Sequence, residues 1–132
     1  MAKGLGADGV YWEALEAGRL ELPRCAKCGH WRWPAPFRCR DCGSTQFEWI
    51  EIEPEGRIFT WTRAWHRFDG TESMPQPYVA VLIEFPQAGG IRLLGRFDES
   101  SGEPKIGSAV RGERVTTTAF GRDISAWSWR AQ

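Results

Sequence analysis

Four cysteines, the full complement of the chain, fall within 18 residues as Cys25-Ala26-Lys27-Cys28 and Cys39-Arg40-Asp41-Cys42, with ten residues between the pairs. Each Cys-x-x-Cys turn sets two sulfurs on one side of a point, and two such turns complete a tetrahedral shell of thiolates at ~2.3 Å around Zn²⁺. A glycine follows each pair, Gly29 and Gly43, and its backbone freedom lets amide N–H groups turn back toward the sulfurs. A disulfide framework would need an oxidising compartment, and a thioredoxin-type site would need only one pair. The expectation is one structural zinc per chain at Cys25, Cys28, Cys39 and Cys42, with iron in a rubredoxin-like site as the other occupant that this ligand set accepts. Four thiolates leave no open coordination position, so such a metal is not a catalytic Lewis acid.

A zinc held by four thiolates carries a formal −2, and the segment from Arg24 to Gly43 holds Arg24, Lys27, Arg32, Arg38 and Arg40 against Asp41 alone. That excess reads first as an offset to the metal site and second as a patch for nucleic acid. Over the whole chain the 17 basic residues equal the 17 acidic ones, so no net field draws a polyanion to the surface. Nucleic acid and membrane are therefore not expected partners. The longest apolar run, Val79 to Ile83, is far short of the ~20 residues that span a bilayer. The opening stretch Met1 to Gly6 has one lysine and no apolar core or cleavage site, which points to a cytoplasmic location.

Around the cysteines the chain divides into an N-terminal helical segment (1–19), a zinc ribbon (20–46) and a strand-rich remainder (47–132). Asp8 is placed to cap a helix of about ten residues whose apolar stripe is Val10, Tyr11, Ala14 and Leu15, with Gly18 as its stop. A helix this short is marginal alone and must dock its Tyr11/Trp12/Leu15 side on something, which can be another chain. Leu20-Glu21-Leu22 and Trp31-Arg32-Trp33 alternate as short ribbon strands, and Pro34 and Pro36 end the second. Trp31 and Trp33 share a face, which either packs on the following domain or forms a contact surface.

Beyond the ribbon, strands are expected at Phe47 to Ile52, Arg57 to His66, Tyr78 to Phe85, Ile91 to Phe97, Ala109 to Val115 and around Ile124 to Trp129. Tyr78 to Ile83 is apolar at both parities and reads as a strand covered on both faces, whereas Ile91/Leu93/Phe97 against Arg92/Arg96 reads as half-exposed. Gly56, Gly95, Gly107 and Gly112 suit the bends and turns of a tight barrel. Phe59, Trp61 and Trp65 share a strand face, taken as barrel interior. The fold expected is mainly β: a short N-terminal helix, a rubredoxin-like zinc ribbon and a C-terminal five-stranded OB-fold barrel.

The order Tyr11-Trp12-Glu13-Ala14-Leu15, Gly18-Arg19-Leu20, Cys-x-x-Cys-Gly twice, Pro77 to Glu84 and Lys105-Ile106-Gly107 resembles the family of paired zinc-ribbon and OB-fold proteins catalogued as domain of unknown function thirty-five. The resemblance runs along nearly the whole chain, and its cysteines match one for one. It implies a small non-catalytic partner subunit of a thiolase-like or hydratase-like enzyme acting on acyl-CoA substrates, such as benzoylsuccinyl-CoA thiolase. A CoA thioester at the shared interface would follow.

No nucleophile with a neighbouring base is visible, the Gly-x-Ser-x-Gly and Gly-x-Gly-x-x-Gly motifs are absent, and His30 and His66 are the only imidazoles. A lone strand-end histidine such as His66 reads as a packed or solvated residue rather than a base. The site expectation is therefore no catalytic residue, four metal-binding cysteines, and Tyr11, Trp12, Trp31 and Trp33 as partner contacts. The competing function is an OB-fold binder of single-stranded nucleic acid, served by the eight tryptophans through base stacking.

Overall fold

The computed structural model describes residues 6–72 and 74–132. Of the stretch Met1 to Gly6 on which the leader reading rests, residues 1–5 lie outside the described residues. Among those described, no helix is long and apolar enough to cross a membrane.

Helix α1 spans Gly9–Glu16 and buries Tyr11, Ala14 and Leu15 of the stripe expected from spacing, while its fourth member, Val10, lies exposed in the first turn. Its end is a Schellman turn: Gly18, at φ +80°, donates its N–H to Leu15 O, and Arg19 donates to Ala14 O. The start differs from expectation. Asp8 stands at the N-cap but makes no side-chain cap bond; its carboxylate accepts the Trp12 indole N–H at 3.0 Å instead. The helix packs on the first and last strands of the chain. A polar tie fixes it there, because the Ser125 hydroxyl donates to Glu16 at 2.9 Å and accepts from Arg114 at 2.8 Å.

Strand β1 (Leu20–Cys25) pairs antiparallel with β2 (Phe47–Ile52), in a register running from Leu20↔Ile52 to Cys25↔Phe47. Phe47–Ile52 thus belongs to a two-stranded sheet with the ribbon, and not to the barrel as its place after residue 46 had suggested. Trp31-Arg32-Trp33 is not a strand. It makes one bridge, Arg24↔Trp31, because the prolines at 34 and 36 offer no donors to extend a ladder.

Five strands close the barrel in the order β3-β4-β5-β7-β6: β3 Glu55–Ala64, β4 Tyr78–Phe85, β5 Ile91–Phe97, β6 Ala109–Ala119 and β7 Arg122–Ala131. All pairings are antiparallel except β5 with β7, the arrangement of a five-stranded Greek-key OB fold. The β6–β7 hairpin is longer than its sequence pattern indicated and turns on Phe120 and Gly121, both at positive φ, as a two-residue turn between twisted strands requires.

Alternation in β4 is strict: Val79, Val81, Ile83 and Phe85 are buried and the residues between them are half-buried. The second face is covered less than the apolar run implied, since a barrel this small has one interior. β3 corrects a further expectation. The register shifts between Ile58 and Thr60, and Phe59 and Trp65 lie exposed while Trp61 is half-buried. The interior is filled by Ile58 from β3, Leu93 and Phe97 from β5 and Val110 from β6, and most heavily from β4 and β7, above all by Trp129, which is 0% exposed.

Candidate metal centre

The four cysteines converge. Cys25 is the last residue of β1, Cys28 lies in the turn after it, and Cys39 and Cys42 bracket the second turn. Both turns have the same backbone wiring: Gly29 N–H donates to Cys25 O and Gly43 N–H to Cys39 O, each at 2.9 Å, while Cys25 N–H donates to His30 O and Cys39 N–H to Ser44 O, each at 2.8 Å. Gly29 and Gly43 take φ +78° and +76°, a conformation that favours glycine, so the repeated Cys-x-x-Cys-Gly pattern is a repeated fold.

All four Sγ atoms lie within 4.8 Å of one another, with Cys25 to Cys42 at 3.5 Å and Cys28 to Cys39 at 3.6 Å. A tetrahedron with bonds of ~2.3 Å has edges of about 3.8 Å, whereas a disulfide would need ~2.05 Å. The sulfurs therefore fit one tetrahedral metal ion. Cys25 and Cys39 are buried and Cys28 faces solvent, which gives the site a closed inner side and an accessible rim.

Charge around the sulfurs is unequal. The Cys39 thiol is held down at about 6, first by the N–H of Cys42 and then, against the opposing effect of burial, by the N–H of Asp41 and the Arg32 guanidinium. Cys25 is also lowered, chiefly by the N–H of Cys28. Cys28 moves up to about 12: the N–H of His30 favours its thiolate, and burial with the crowding of Cys25, Cys39 and Cys42 overrides that. Four adjacent sulfurs do not all hold negative charge unaided, and a divalent cation among them removes the conflict.

Part of the basic excess is positioned for the same purpose, while Arg24 pairs with Glu48 instead. Arg32 reaches Cys39 Sγ at 3.7 Å and pairs with Asp41, while Arg38 donates to Gly43 O at 2.9 Å. His30 Nδ1 lies 3.3 Å from Cys28 Sγ and 3.1 Å from Asp41. These groups orient the thiolates and offset their charge from just outside the ligand shell.

The aromatic residues read as partner contacts are distributed differently. Tyr11 is only 6% exposed, with its ring 4.7 Å from that of Trp33; it supports the seat of α1 and presents no surface. Trp12, Trp31 and Trp33 are half-buried against the core. Trp31 lies over Gly89, where a Cβ would stand 2.8 Å from its Cδ1, so it joins ribbon to barrel. Sequence reading missed the large apolar side chains that are most exposed, Phe37, Trp65, Leu94, Ile106 and Phe120. Only the loop positions of Phe37, Ile106 and Phe120 could have signalled them. His66 stacks edge-on against Phe68 at 4.6 Å.

Comparison with known proteins agrees with this geometry. The chain is 31% identical over 91 residues to a probable enoyl-CoA hydratase alpha subunit of Thermomonospora curvata, an alignment that takes in 68% of this chain and 27% of that protein. It thus spans about a quarter of the length of that curated relative. Its fold matches a solved structure described as the Ltp2-ChsH2(DUF35) aldolase, with a TM-score of 0.81 and 23% identity over 99% of this chain and 98% of that one. It also matches a DUF35-family protein of unknown function from Sulfolobus solfataricus, with a TM-score of 0.64 and 20% identity over 97% of this chain and 87% of that one. Residues 12–48 match the ChsH2 rubredoxin-like zinc ribbon domain and residues 49–115 the ChsH2 C-terminal OB-fold domain. With the second match alone covering more than half of its length, the chain belongs to the ChsH2 family.

Proposed function

We propose that this chain is a non-catalytic, zinc-stabilised subunit that docks on a thiolase-like or hydratase-like enzyme and supports acyl transfer or C–C bond chemistry on CoA thioesters, in the cytoplasm. The observation that carries the reading is the match of ribbon, helix and barrel, end to end, to a fold seen in an aldolase assembly. The commitment of every cysteine to one closed cluster supports it, because a thiolate bound to metal is not a free nucleophile. The relative described as an enoyl-CoA hydratase subunit supports the acyl-CoA substrate class.

Trp12 and the outer edges of Trp31 and Trp33 form the proposed contact, with Tyr11 as the buried support behind them. Buried aromatic anchors carry much of the binding energy at interfaces. A tagged chain purified from its host should retain an acyl-CoA-processing enzyme, identified by mass spectrometry, and the pair should turn over acyl-CoA while this chain alone does not. Turnover by the single chain at a rate that the partner leaves unchanged would overturn the subunit reading. Sub-micromolar binding of single-stranded DNA at ~150 mM salt, weakening steeply as salt rises, would favour the nucleic-acid alternative.

A further inference from the structure

The ribbon hairpin has one occupied edge and one free edge. At the metal end of the β1–β2 ladder Ala26 donates to Gln46 O, and antiparallel alternation then turns the backbone of Glu48, Ile50 and Ile52 toward β1. The N–H and C=O groups of Phe47, Trp49 and Glu51 therefore face away from it. On β1 the corresponding outward groups are taken: Cys25 donates to His30 O, and Pro23 O accepts from Arg32. Among the described residues β2 has no strand partner besides β1. Phe47 and Trp49 are half-buried and Glu51 is exposed.

A free edge is ordinarily blocked by lysine, proline or a bulge, because its backbone groups template pairing with another chain. β2 has none of these: it reads Phe-Glu-Trp-Ile-Glu-Ile and its register is continuous. Two further features say what fits beside it. Phe47 and Trp49 both line a groove of about 330 Å³ whose other walls include Pro23, Pro36 and Phe37, and the described residues that line it include no charged side chain. Beyond Trp49 on the same face stands Glu51, followed in the chain by Glu53. Neither carboxylate has an ion pair among the described residues, whereas Glu48 is held by Arg24 and Glu55 by Arg111.

We propose that the free edge of β2 takes an extended segment of a partner polypeptide as a third, antiparallel strand, with apolar side chains opposite Phe47 and Trp49 and a lysine or arginine opposite Glu51. Main-chain bonds to Phe47, Trp49 and Glu51 supply the affinity, and side chains at i, i+2 and i+4 of the segment select the partner. A second copy pairing through the same strand does not suit this edge: it would bring the same carboxylates and no cation, leaving Glu51 and Glu53 unanswered. The added strand lies on the side of the hairpin away from Trp31, which bridges to Arg24 across the other edge. The proposal therefore does not rest on the contact through Trp12, Trp31 and Trp33.

The test is an NMR titration of the full, zinc-loaded, ¹⁵N-labelled chain with the blocked peptide acetyl-Lys-Thr-Val-Thr-Val-amide, read together with hydrogen exchange. The peptide should shift the Phe47, Trp49 and Glu51 amides saturably and slow their exchange more than that of Glu48 and Ile50, which are already bonded to β1. N-methylation of the central valine, whose N–H faces Trp49 O, should weaken binding roughly three- to tenfold, the loss of one hydrogen bond. Glutamate in place of the lysine should weaken it about two- to fivefold. Glu51→Pro removes an outward N–H and no bond to β1, and Phe37→Ser strips an exposed wall of the groove. Each should weaken the peptide about threefold or more while the zinc content stays at one per chain. Absence of a saturable shift at the three amides overturns the proposal, as do equal affinity for the N-methylated peptide and preference for the glutamate peptide. Protection of the three amides in the free chain, by a second copy or by a segment of its own, overturns it also.

Discussion

Gly95→Ala is the smallest substitution that this fold should resist strongly. A methyl there would stand 2.5 Å from Trp129 Nε1 and 2.6 Å from Cδ1, where ordinary contact begins at 3.4 Å. The indole cannot retreat, because Gly112 on the adjoining β6 leaves as little room: a Cβ at 112 would meet Trp129 Cζ3 at 2.9 Å and Cη2 at 3.0 Å. Phe85 and Trp127 hold the ring from other directions, with centroids at 5.6 and 6.2 Å. An overpacked core costs ~1–3 kcal/mol, and a ring with no slack belongs at the top of that range, so the expected loss is about 3 kcal/mol. With a urea m-value of ~2 kcal/mol/M, the midpoint should fall by about 1.5 M. Urea unfolding followed by circular dichroism, with excess zinc and a thiol reductant present, reads this directly. Trp129→Leu should cost ~2–3 kcal/mol by leaving a cavity, but the double variant should cost about 2 kcal/mol less than the two losses added, since the methyl then occupies space that the indole vacates. Gly9→Ala, with no heavy atom within 4 Å of the new Cβ, should be neutral or stabilise by ~0.5 kcal/mol. Strict additivity in the double variant, or a Gly95→Ala loss under ~1 kcal/mol, would refute the account of the core.

Elemental analysis should give one metal ion per chain, and Cys39→Ser or a strong chelator should unfold the ribbon, seen as loss of protease resistance confined to its loops. Arg32→Met, which removes the guanidinium from Cys39 and Asp41, should weaken zinc affinity by roughly 10–100-fold in a competitive chelator titration while leaving the stoichiometry at one. The Asp98 carboxyl is held below its ordinary value, first by the Ser100 hydroxyl and, against burial, by the Ser100 N–H; its stabilising effect is therefore present above about pH 4 and lost as pH falls through the lowered value. Asp98→Asn should destabilise by ~0.5 kcal/mol at neutral pH, and a denaturation series should show that difference shrinking in acid.

The metal site was legible because its chemistry is local: ligand type, spacing and the two glycines are all read within 19 residues, from Cys25 to Gly43. The barrel was legible from strand count and from the contrast between the apolar run of β4 and the alternation in β5. What failed was the assignment of partners and faces. Nothing within Phe47–Ile52 distinguishes a barrel strand from one that returns to β1, since that choice is made by residues distant in sequence. Phe59, Trp61 and Trp65 share a parity that suggested the interior, but the inward positions at the start of β3 are Gly56 and Ile58, which leaves Phe59 outside; after the irregularity at Ile58/Thr60 only Trp61 packs against the core, and Trp65 lies beyond the end of the strand. Gly95 and Gly112 read as bends and are instead the two flat places against which Trp129 lies. Tyr11 was legible as apolar, and only the packing shows that it faces its own chain.

The register that ends at Cys25↔Phe47 makes β1 and β2 the arms of a hairpin whose connecting loop is residues 26–46. A loop so long would ordinarily be held by little beyond its own turns; here three of the four sulfur ligands lie within it and the fourth lies at its base. The metal acts as a cross-link internal to one loop, and the ladder beneath it is anchored separately by backbone pairing that continues to Leu20↔Ile52. In hydrogen-exchange terms the chain should contain two opening units. Amides in the loop should exchange on the timescale of metal loss, and those of β4 and β7 on the timescale of global unfolding, so that an apo chain keeps its barrel while its ribbon melts.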